Sequence, residues 1–144
     1  MSQENIEEIL NRYRTVAIVG LSRDSSKDSY RVAEYLKSHG FRIMPVNPFV
    51  DEVLGEKSHR SLLEMPLELQ KAVEIIDIFR PATETSAVVD QAVSLRQSHG
   101  APHVIWMQIG IVNQQAAETA RNAGLTVIMD RCMMKEYRRI IEEK

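Results

Sequence analysis

Short apolar runs separated by amphipathic stretches follow one another along the chain. Five of these runs are rich in β-branched residues and predict strands at Thr15–Val19, Phe41–Val46, Ala72–Ile78, His103–Met107 and Leu125–Met129. Most of them are almost continuously apolar instead of alternating with polar residues. That pattern is typical of a parallel sheet that helices cover on both faces.

The segments between these strands place apolar residues at helical spacing, as Val32, Tyr35 and Leu36 do. Several of the predicted helices end in a glycine shortly before the next strand, at Gly40, Gly100 and Gly124. A repeated helix–glycine–strand unit is typical of βαβ winding with right-handed crossovers. We therefore predict an α/β fold: a doubly wound, mainly parallel, five-stranded sheet with helices on both faces, in a single domain over residues 1–144.

Less regular segments lie outside this repeat. The stretch from Phe49 to Glu68 has little periodicity, and only "RSLLEM" within it predicts a short helix. Helices are also predicted near both ends of the chain, one carrying Ile6 and Leu10 and the other in "MKEYRRIIEEK". Asn113 is a plausible N-cap for the helix "NQQAAETARNA".

Composition narrows the class of protein. A net charge of -2 and a pI near 6.1, with 6% aromatic residues, disfavour nucleic-acid binding. The acidic start "MSQENIEEIL" is unlike a signal peptide, and no apolar run approaches the ~20 residues of a membrane span. The single cysteine fits a reducing compartment. We expect a cytoplasmic protein with a small-molecule ligand and no membrane or nucleic-acid partner; the pattern indicates no particular oligomeric state.

The loop after the first strand, "GLSRDSSKDSY", carries the most unusual chemistry. Ligands of open parallel sheets bind outside the carboxyl ends of the strands. Gly20 permits a tight turn there, Ser22 and Ser29 offer hydroxyls, and Arg23 and Lys27 add positive charge. A cation at a helix start costs a few tenths to about 1 kcal/mol unless an anion lies beside it. The loop therefore predicts a phosphate or pyrophosphate site; the alternative is that Lys27 and Arg31 are simply solvated and paired with Asp24 and Asp28.

Two familiar phosphate ligands do not fit this loop. A dinucleotide fingerprint needs three glycines and an acidic residue about 20 positions further on. Here the second and third glycines are missing, and the second strand ends in Asn47-Pro48 without a carboxylate. No G-x-x-x-x-G-K-[ST] sequence is present either, which excludes P-loop chemistry.

The runs "VGLSRDSSKDSYRVAEYLKSHGFRIMPVNP", "IIDIFRPATET" and "IWMQIGIVNQQAAETARNAGLTVIMDRCMMKEY" resemble the small CoA-binding proteins. This family is related to the nucleotide-binding domain of the succinyl-CoA synthetase α subunit. The resemblance covers roughly residues 10 to 140 and implies a Rossmann-type domain that holds coenzyme A or an acyl-CoA. It does not extend to the synthetase domain that carries the phosphorylated histidine, so we expect no ligase activity.

The resemblance also implies which residues form the site. The phosphates would be surrounded by Gly20, Ser22 and the run from Lys27 through Ser29 to Tyr30. The adenosine portion would be bordered by Asn47 and Pro48, and the cleft would be lined by Phe79 and Arg80, with Arg80 free to pair with a phosphate oxygen. The pantetheine arm would lie on the turn of Met107, Gln108 and Ile109.

Catalysis has a single candidate in the sequence. Cys132 follows the last strand, next to Arg131 and before a predicted helix, a setting in which reactive cysteines are found, although a buried structural cysteine is the simpler interpretation. No histidine is tied to it, and no residues show metal-ligand spacing, so we expect no metal. Asp77, inside a strand, is expected to be a hydrogen-bonded structural carboxylate. We expect a non-catalytic carrier or sensor, with a Cys132-dependent thiol-exchange or acyl-transfer enzyme, or an atypical NAD(P)-binding redox protein using Arg23, as alternatives.

Overall fold

A parallel five-stranded sheet forms the centre of the computed structural model, which describes residues 3–143. Its strands are β1 (Thr15–Val19), β2 (Arg42–Val46), β5 (Ile75–Ile78), β6 (Val104–Met107) and β7 (Thr126–Ile128). They lie in the order β2-β1-β5-β6-β7, and each neighbouring pair is parallel. The predicted doubly wound α/β fold is confirmed.

Helices cover both faces of this sheet. They are α1 (Gln3–Arg12), α2 (Asp28–Ser38), α3 (Leu67–Ala72), α4 (Ala82–His99), α5 (Gln114–Asn122) and α6 (Met133–Tyr137), which continues as a π-helix (Arg138–Glu142). Residues of α1, α2 and α6 pack on one face around Ile18 and Trp106. Residues of α4 and α5 pack on the other face around Ala17 and Ile76. Each strand therefore buries alternate side chains in two separate apolar cores, as its continuous apolar sequence predicts.

The observed ends of the five sheet strands agree with the predicted ends to within one residue, except near residue 72. The predicted strand Ala72–Ile78 begins only at Ile75, because Ala72 is the last residue of α3. The three helix-ending glycines all have a positive φ, between 81° and 90°. Asn113 caps α5 as predicted, its Oδ1 accepting a hydrogen bond from the Ala116 N–H at 2.9 Å.

The segment predicted to be irregular contains more structure than its sequence indicates. Two short strands, β3 (Glu52–Val53) and β4 (Glu56–Lys57), form an antiparallel hairpin. A 3₁₀ turn at Leu62–Glu64 follows, within the predicted "RSLLEM" helix. His59 makes an isolated parallel bridge to Val46, which ties this segment to the end of β2. Two-residue strands are too short to produce a recognisable alternation, so the pattern missed them.

The strand order fixes where a ligand is expected. The chain leaves β1 through α2 to reach β2 on one side, and it returns to β5 on the other side of β1. The order therefore reverses between β1 and β5, and the loops after these two strands border the crevice at this point. Within residues 3–143, no helix combines the length and apolar character needed to cross a membrane.

Candidate functional site

Two clefts open at the carboxyl edge of the sheet. The β2-side cleft, about 480 Å³, is lined by Val19, Gly20, Val46, Asn47, Pro48, Phe49, Arg60, Ser61, Leu62, Arg80, Thr83, Glu84, Ala87, Val88 and Gln91. The α6-side cleft, about 460 Å³, is lined by Asp28, Arg31, Val32, Phe79, Gln108, Ile109, Ile111, Cys132, Met134 and Lys135. Seven predicted site residues line one cleft or the other: Gly20, Asn47, Pro48 and Arg80 line the first, and Phe79, Gln108 and Ile109 line the second. The other six, Ser22, Arg23, Lys27, Ser29, Tyr30 and Met107, line neither.

Gly20, Phe79 and Arg80 lie between the two clefts, at the point where the strand order reverses, and are called the ridge. Gly20 has a φ of +89°, and its N–H donates to the carbonyl of Val46 at 2.8 Å. A Cβ on Gly20 would lie 2.9 Å from Cδ of Arg80, so the side chain of Arg80 packs directly on the glycine. Phe79 faces the α6-side cleft and Arg80 the β2-side cleft. The structure thus brings together Gly20, Phe79 and Arg80, which the sequence assigns to one site.

Arg80 already has a carboxylate partner. Its guanidinium nitrogen Nη2 donates to both carboxylate oxygens of Glu84, one turn along the chain in α4, at 2.8 Å each. The two side chains are 40% and 49% exposed, so water reaches the pair. A phosphate in the cleft therefore competes with Glu84 for the guanidinium instead of meeting an unpaired cation.

Asn47 links the ends of β1 and β2. Its side-chain amide donates to the carbonyl of Leu21 at 3.0 Å, and its Oδ1 accepts from the Phe49 N–H at 2.9 Å. Its backbone N–H donates to the carbonyl of His59 at 2.8 Å. Asn47 and the adjacent Pro48 both line the β2-side cleft, beside Gly20. One side chain therefore holds the loops on two walls of this cleft in place.

The serine side chains of the first loop form hydrogen bonds within that loop. Ser29 is 6% exposed, and its hydroxyl accepts from the Ser22 N–H at 3.0 Å. The Ser22 hydroxyl accepts from the Asp24 N–H at 3.0 Å. The N–H and hydroxyl of Ser26 donate to Asp24, and these two hydrogen bonds lower the pKa of that carboxyl. These contacts shape the loop, and they occupy groups that the sequence analysis offers to a ligand.

The cations of this loop do not converge. Lys27 occupies the N-cap position of α2 and lines neither cleft, and among the described residues it has no ion pair. Arg23 is exposed and also lines neither cleft. Arg31 lines the α6-side cleft, with its guanidinium 3.9 Å from Asp28. Pairing with aspartate, the alternative that the sequence left open, is therefore found for Arg31 and not for Lys27.

The turn after β6 is only partly accessible. Met107 is fully buried in the core on the α4 face, so its side chain reaches neither cleft. Gln108 lines the α6-side cleft, and its Oε1 accepts from the Met133 N–H at 3.1 Å at the start of α6. Ile109 lines the same cleft and is 55% exposed. Tyr30, half-buried, packs against the core of the α2 face.

Cys132 and Asp77 lie on the face of the sheet that carries α2 and α6. Cys132 is buried, lines the α6-side cleft and immediately precedes α6, as predicted. Asp77 is fully buried on β5, between Ile18 of β1 and Trp106 of β6. Neither carboxylate oxygen has a hydrogen-bond partner, so the expected hydrogen-bonded carboxylate is wrong. Asp77 lies inside the strand, where neighbouring backbone groups are used by the sheet, and burial raises its pKa well above the ordinary value.

Some lining residues of the β2-side cleft escape the sequence analysis. Phe49 and Arg60 come from the segment that was predicted to be irregular, and Thr83 and Glu84 begin α4. Phe49 could have been suspected, because it directly follows Asn47-Pro48 at the end of a strand. Arg60 carries no such signal, since its position depends on the bridge between His59 and Val46.

Comparison with known proteins relates this geometry to a family. Residues 14–138 match the family described as "CoA binding domain". The uncharacterized protein YneT of Bacillus subtilis is 36% identical over 132 residues, which are 92% of this chain and 91% of that protein. A solved structure of a hypothetical protein from Pyrococcus horikoshii superposes with a TM-score of 0.88 at 36% identity, covering 98% and 93% of the two chains. An ADP-forming acetate–CoA ligase of Methanocaldococcus jannaschii is 33% identical over 63 residues, 44% of this chain and only 9% of the ligase.

Proposed function

The chain belongs to the CoA-binding domain family, and from that premise we propose that it binds coenzyme A or an acyl-CoA as a carrier or sensor, without catalysing a reaction. The observation that carries this proposal is the β2-side cleft at the reversal of strand order. Gly20, Asn47 and Arg80 line it together, from three different loops. A cleft of this kind, in this position, is where open α/β sheets bind nucleotides.

The charges around the β2-side cleft suit the nucleotide end of CoA. CoA carries several phosphate charges, and two arginines, Arg60 and Arg80, line the cleft. The end of β2 presents Asn47 and Pro48, without the carboxylate that an NAD site uses for the ribose and that would repel a ribose phosphate. We assign the adenosine portion to this wall and the pyrophosphate to the loop that begins at Gly20. Lys27 and Arg23, outside the cleft, would approach the phosphates from solvent.

The pantetheine arm of CoA, which has both methylene and amide groups, has a surface of mixed character on the other side of the ridge. Phe79, Val32 and Ile109 give the α6-side cleft apolar walls, and Gln108 offers an amide beside them. Charged residues line the rest of the cleft: Asp28, Arg31 and Lys135. An arm that passes over Gly20 and Phe79 reaches this cleft from the nucleotide end. We therefore assign the pantetheine to Phe79, Gln108 and Ile109, and we leave the core residue Met107 with a supporting role.

Isothermal calorimetry of the purified protein with CoA, dephospho-CoA and NAD tests the proposal. We expect measurable heat for CoA, weaker binding of dephospho-CoA because it lacks the 3′-phosphate, and no saturable binding of NAD. Equal binding of all three, or binding of none, would contradict it. The atypical NAD(P) alternative, in which Arg23 meets a 2′-phosphate, predicts enhanced fluorescence of bound NADPH, and no response at saturating NADPH would eliminate it.

One observation favours a second candidate function, thiol exchange. Cys132 lines the same cleft as Gln108 and Ile109, where the thiol end of CoA would arrive. Attack of a Cys132 thiolate on CoA disulfide would form a protein–CoA disulfide and release one CoA thiolate. Within the described residues no side chain makes a hydrogen bond to the sulfur of Cys132, so no base for the thiol is in place. We therefore place binding before catalysis.

A further inference from the structure

Phe49 is the most exposed large apolar side chain among the described residues. Its exposed fraction is 84%, and it lies on the rim of the β2-side cleft. The apolar side chains of Ile43, Met44 and Val46 in the neighbouring strand β2 are, in contrast, buried. An aromatic ring held in water beside a cleft offers a flat apolar surface to a ligand.

The backbone of Phe49 is held in position. Its N–H donates to Oδ1 of Asn47 at 2.9 Å, and the backbone of Asn47 pairs with His59 at 2.8 Å. Ser58 adds a hydrogen bond from its hydroxyl to the Asn47 carbonyl at 3.2 Å. The turn that presents Phe49 is thus fixed to the end of β2 and to the segment that carries Arg60. A ring on a fixed backbone loses less conformational freedom when a ligand stacks on it.

Arg60 supplies the available positive charge of this cleft. Arg80 is held by two hydrogen bonds of 2.8 Å to Glu84. The guanidinium of Arg60, in contrast, lies 4.0 Å from Glu64, and its side chain is 72% exposed. It therefore gives up little when it pairs with an anion, and guanidinium groups bind phosphate oxygens in a two-pronged geometry.

From these contacts we infer that Phe49 and Arg60 select a 3′-phosphorylated adenosine: Phe49 stacks on the purine base, and Arg60 pairs with the ribose 3′-phosphate. The inference rests on the proposed CoA binding and names the two side chains that distinguish CoA from other phosphorylated ligands. Base stacking on an aromatic side chain does not need hydrogen bonds to the base. The positive charge of Arg60 then provides the preference for a ligand that carries the 3′-phosphate.

The experiment for Phe49 compares ligands with and without the base. For Phe49→Ala we expect CoA and adenosine 3′,5′-bisphosphate to bind about tenfold or more weakly, from the loss of one stacking contact. Binding of 4′-phosphopantetheine, which has no base, should not change, and Phe49→Trp should bind CoA like the wild type. Leu67→Ala serves as the control, because Leu67 is also exposed, at 56%, and does not line the cleft.

The experiment for Arg60 uses the phosphate as the variable. Arg60→Gln should weaken CoA binding by about fivefold or more and leave dephospho-CoA binding unchanged, since the lost contact is charge-assisted. Arg60→Lys keeps a positive charge, so it should bind CoA more tightly than Arg60→Gln and less tightly than the wild type. The matched control is Arg12→Gln, because Arg12 also lies 4.0 Å from a glutamate one turn away and is 67% exposed, but belongs to α1.

The outcomes separate this inference from the proposed function. If the wild type binds CoA and neither Phe49→Ala nor Arg60→Gln alters the preference among ligands, the inference is overturned and CoA binding stands. If the wild type binds adenosine 3′,5′-bisphosphate through Phe49 and Arg60 but does not bind CoA, the inference about the nucleotide stands and the proposed function fails. If the wild type binds none of these ligands, both are wrong.

Discussion

The β2-side cleft and the α6-side cleft open at the same edge of the sheet, with volumes of about 480 and 460 Å³, but on opposite faces. The first has walls of loop and of α4, with two arginines and a glutamate. The second has walls from α2, α6 and the loops after β5 and β6, with the charged residues Asp28, Arg31 and Lys135 and the only thiol of the chain. Consecutive residues after β5, Phe79 and Arg80, face opposite sides, so one loop contributes to both clefts. Each cleft therefore has two cations and one carboxylate, and what distinguishes the second is the thiol of Cys132, beside which the thiol end of a ligand that spans both clefts would lie.

Gly20 lies on the ridge between the clefts, and Gly20→Val tests whether both depend on it. Valine would take a φ of +89° with its Cβ 2.9 Å from the Arg80 side chain and 3.3 Å from the backbone of Phe79. We expect a loss of roughly 2–4 kcal/mol in the free energy of unfolding, from left-handed backbone strain and overpacking. CoA binding should fall at least about tenfold. Urea unfolding and calorimetry measure the two effects.

Gly40→Val separates strain from crowding. Gly40 has a φ of +90°, but a Cβ there would meet nothing within 4 Å. The free energy of unfolding of this variant should fall only by the cost of the left-handed backbone strain, and its CoA affinity should equal that of the wild type. The expectation fails if both variants lose the same stability and Gly20→Val still binds CoA like the wild type. That result would show that CoA binding does not depend on the ridge at Gly20.

Asp77 is a buried carboxyl group on the α2–α6 face, and none of the described residues in the core on the α4 face is one. Its removal tests how much this carboxyl lowers the free energy of unfolding. Burial raises its pKa well above 3.8, so the native state keeps the proton as pH rises above about 4 while the unfolded chain loses it. The free energy of unfolding should then fall by up to about 1.4 kcal/mol per pH unit. Asp77→Asn removes this slope, so its advantage in the free energy of unfolding over the wild type should grow as pH rises above about 4, by at most about 1.4 kcal/mol per pH unit.

Urea unfolding at several pH values measures this gain. Asp90→Asn, at an exposed position of α4, is the control and should follow the wild type. Parallel stability curves for Asp77→Asn and the wild type would show that the Asp77 carboxyl ionises in the native state as it does in the unfolded chain.

The sequence predicts the sheet better than the site, for a physical reason. Apolar continuity and helix-ending glycines are local signals, and they give all five strands of the sheet and the α5 cap at Asn113. The contacts of Arg80 with Gly20 and Glu84 depend on which loops meet, as does the exposure of Phe49. The family resemblance places Asn47 and Ile109 at the clefts, but it also selects Met107, which is buried because strand residues alternate between faces.

Lys27 lines neither cleft, and its removal tests whether the CoA site includes residues outside the two clefts. A cation at the start of α2 is unfavourable without an anion nearby. If the CoA phosphates supply that anion, Lys27→Ala should weaken binding by roughly 1–3 kcal/mol and leave the free energy of unfolding nearly unchanged. Calorimetry with CoA measures it, with Lys71→Ala on α3 as the control. Unchanged affinity would confine the site to the residues that line the clefts.

Cys132 is the chemical feature that most distinguishes the α6-side cleft, yet we expect the smallest effect on binding from its loss. The sulfur is buried, and serine there would place a hydroxyl in an apolar setting, at a cost of about 1 kcal/mol or more in stability. CoA affinity should change by less than about twofold in Cys132→Ser and in Cys132→Ala, which avoids the buried hydroxyl. Mass spectrometry after incubation with CoA disulfide completes the test. A mixed disulfide that forms rapidly on the wild type, and turnover that both variants abolish, would make the α6-side cleft an active site instead of a surface for the arm.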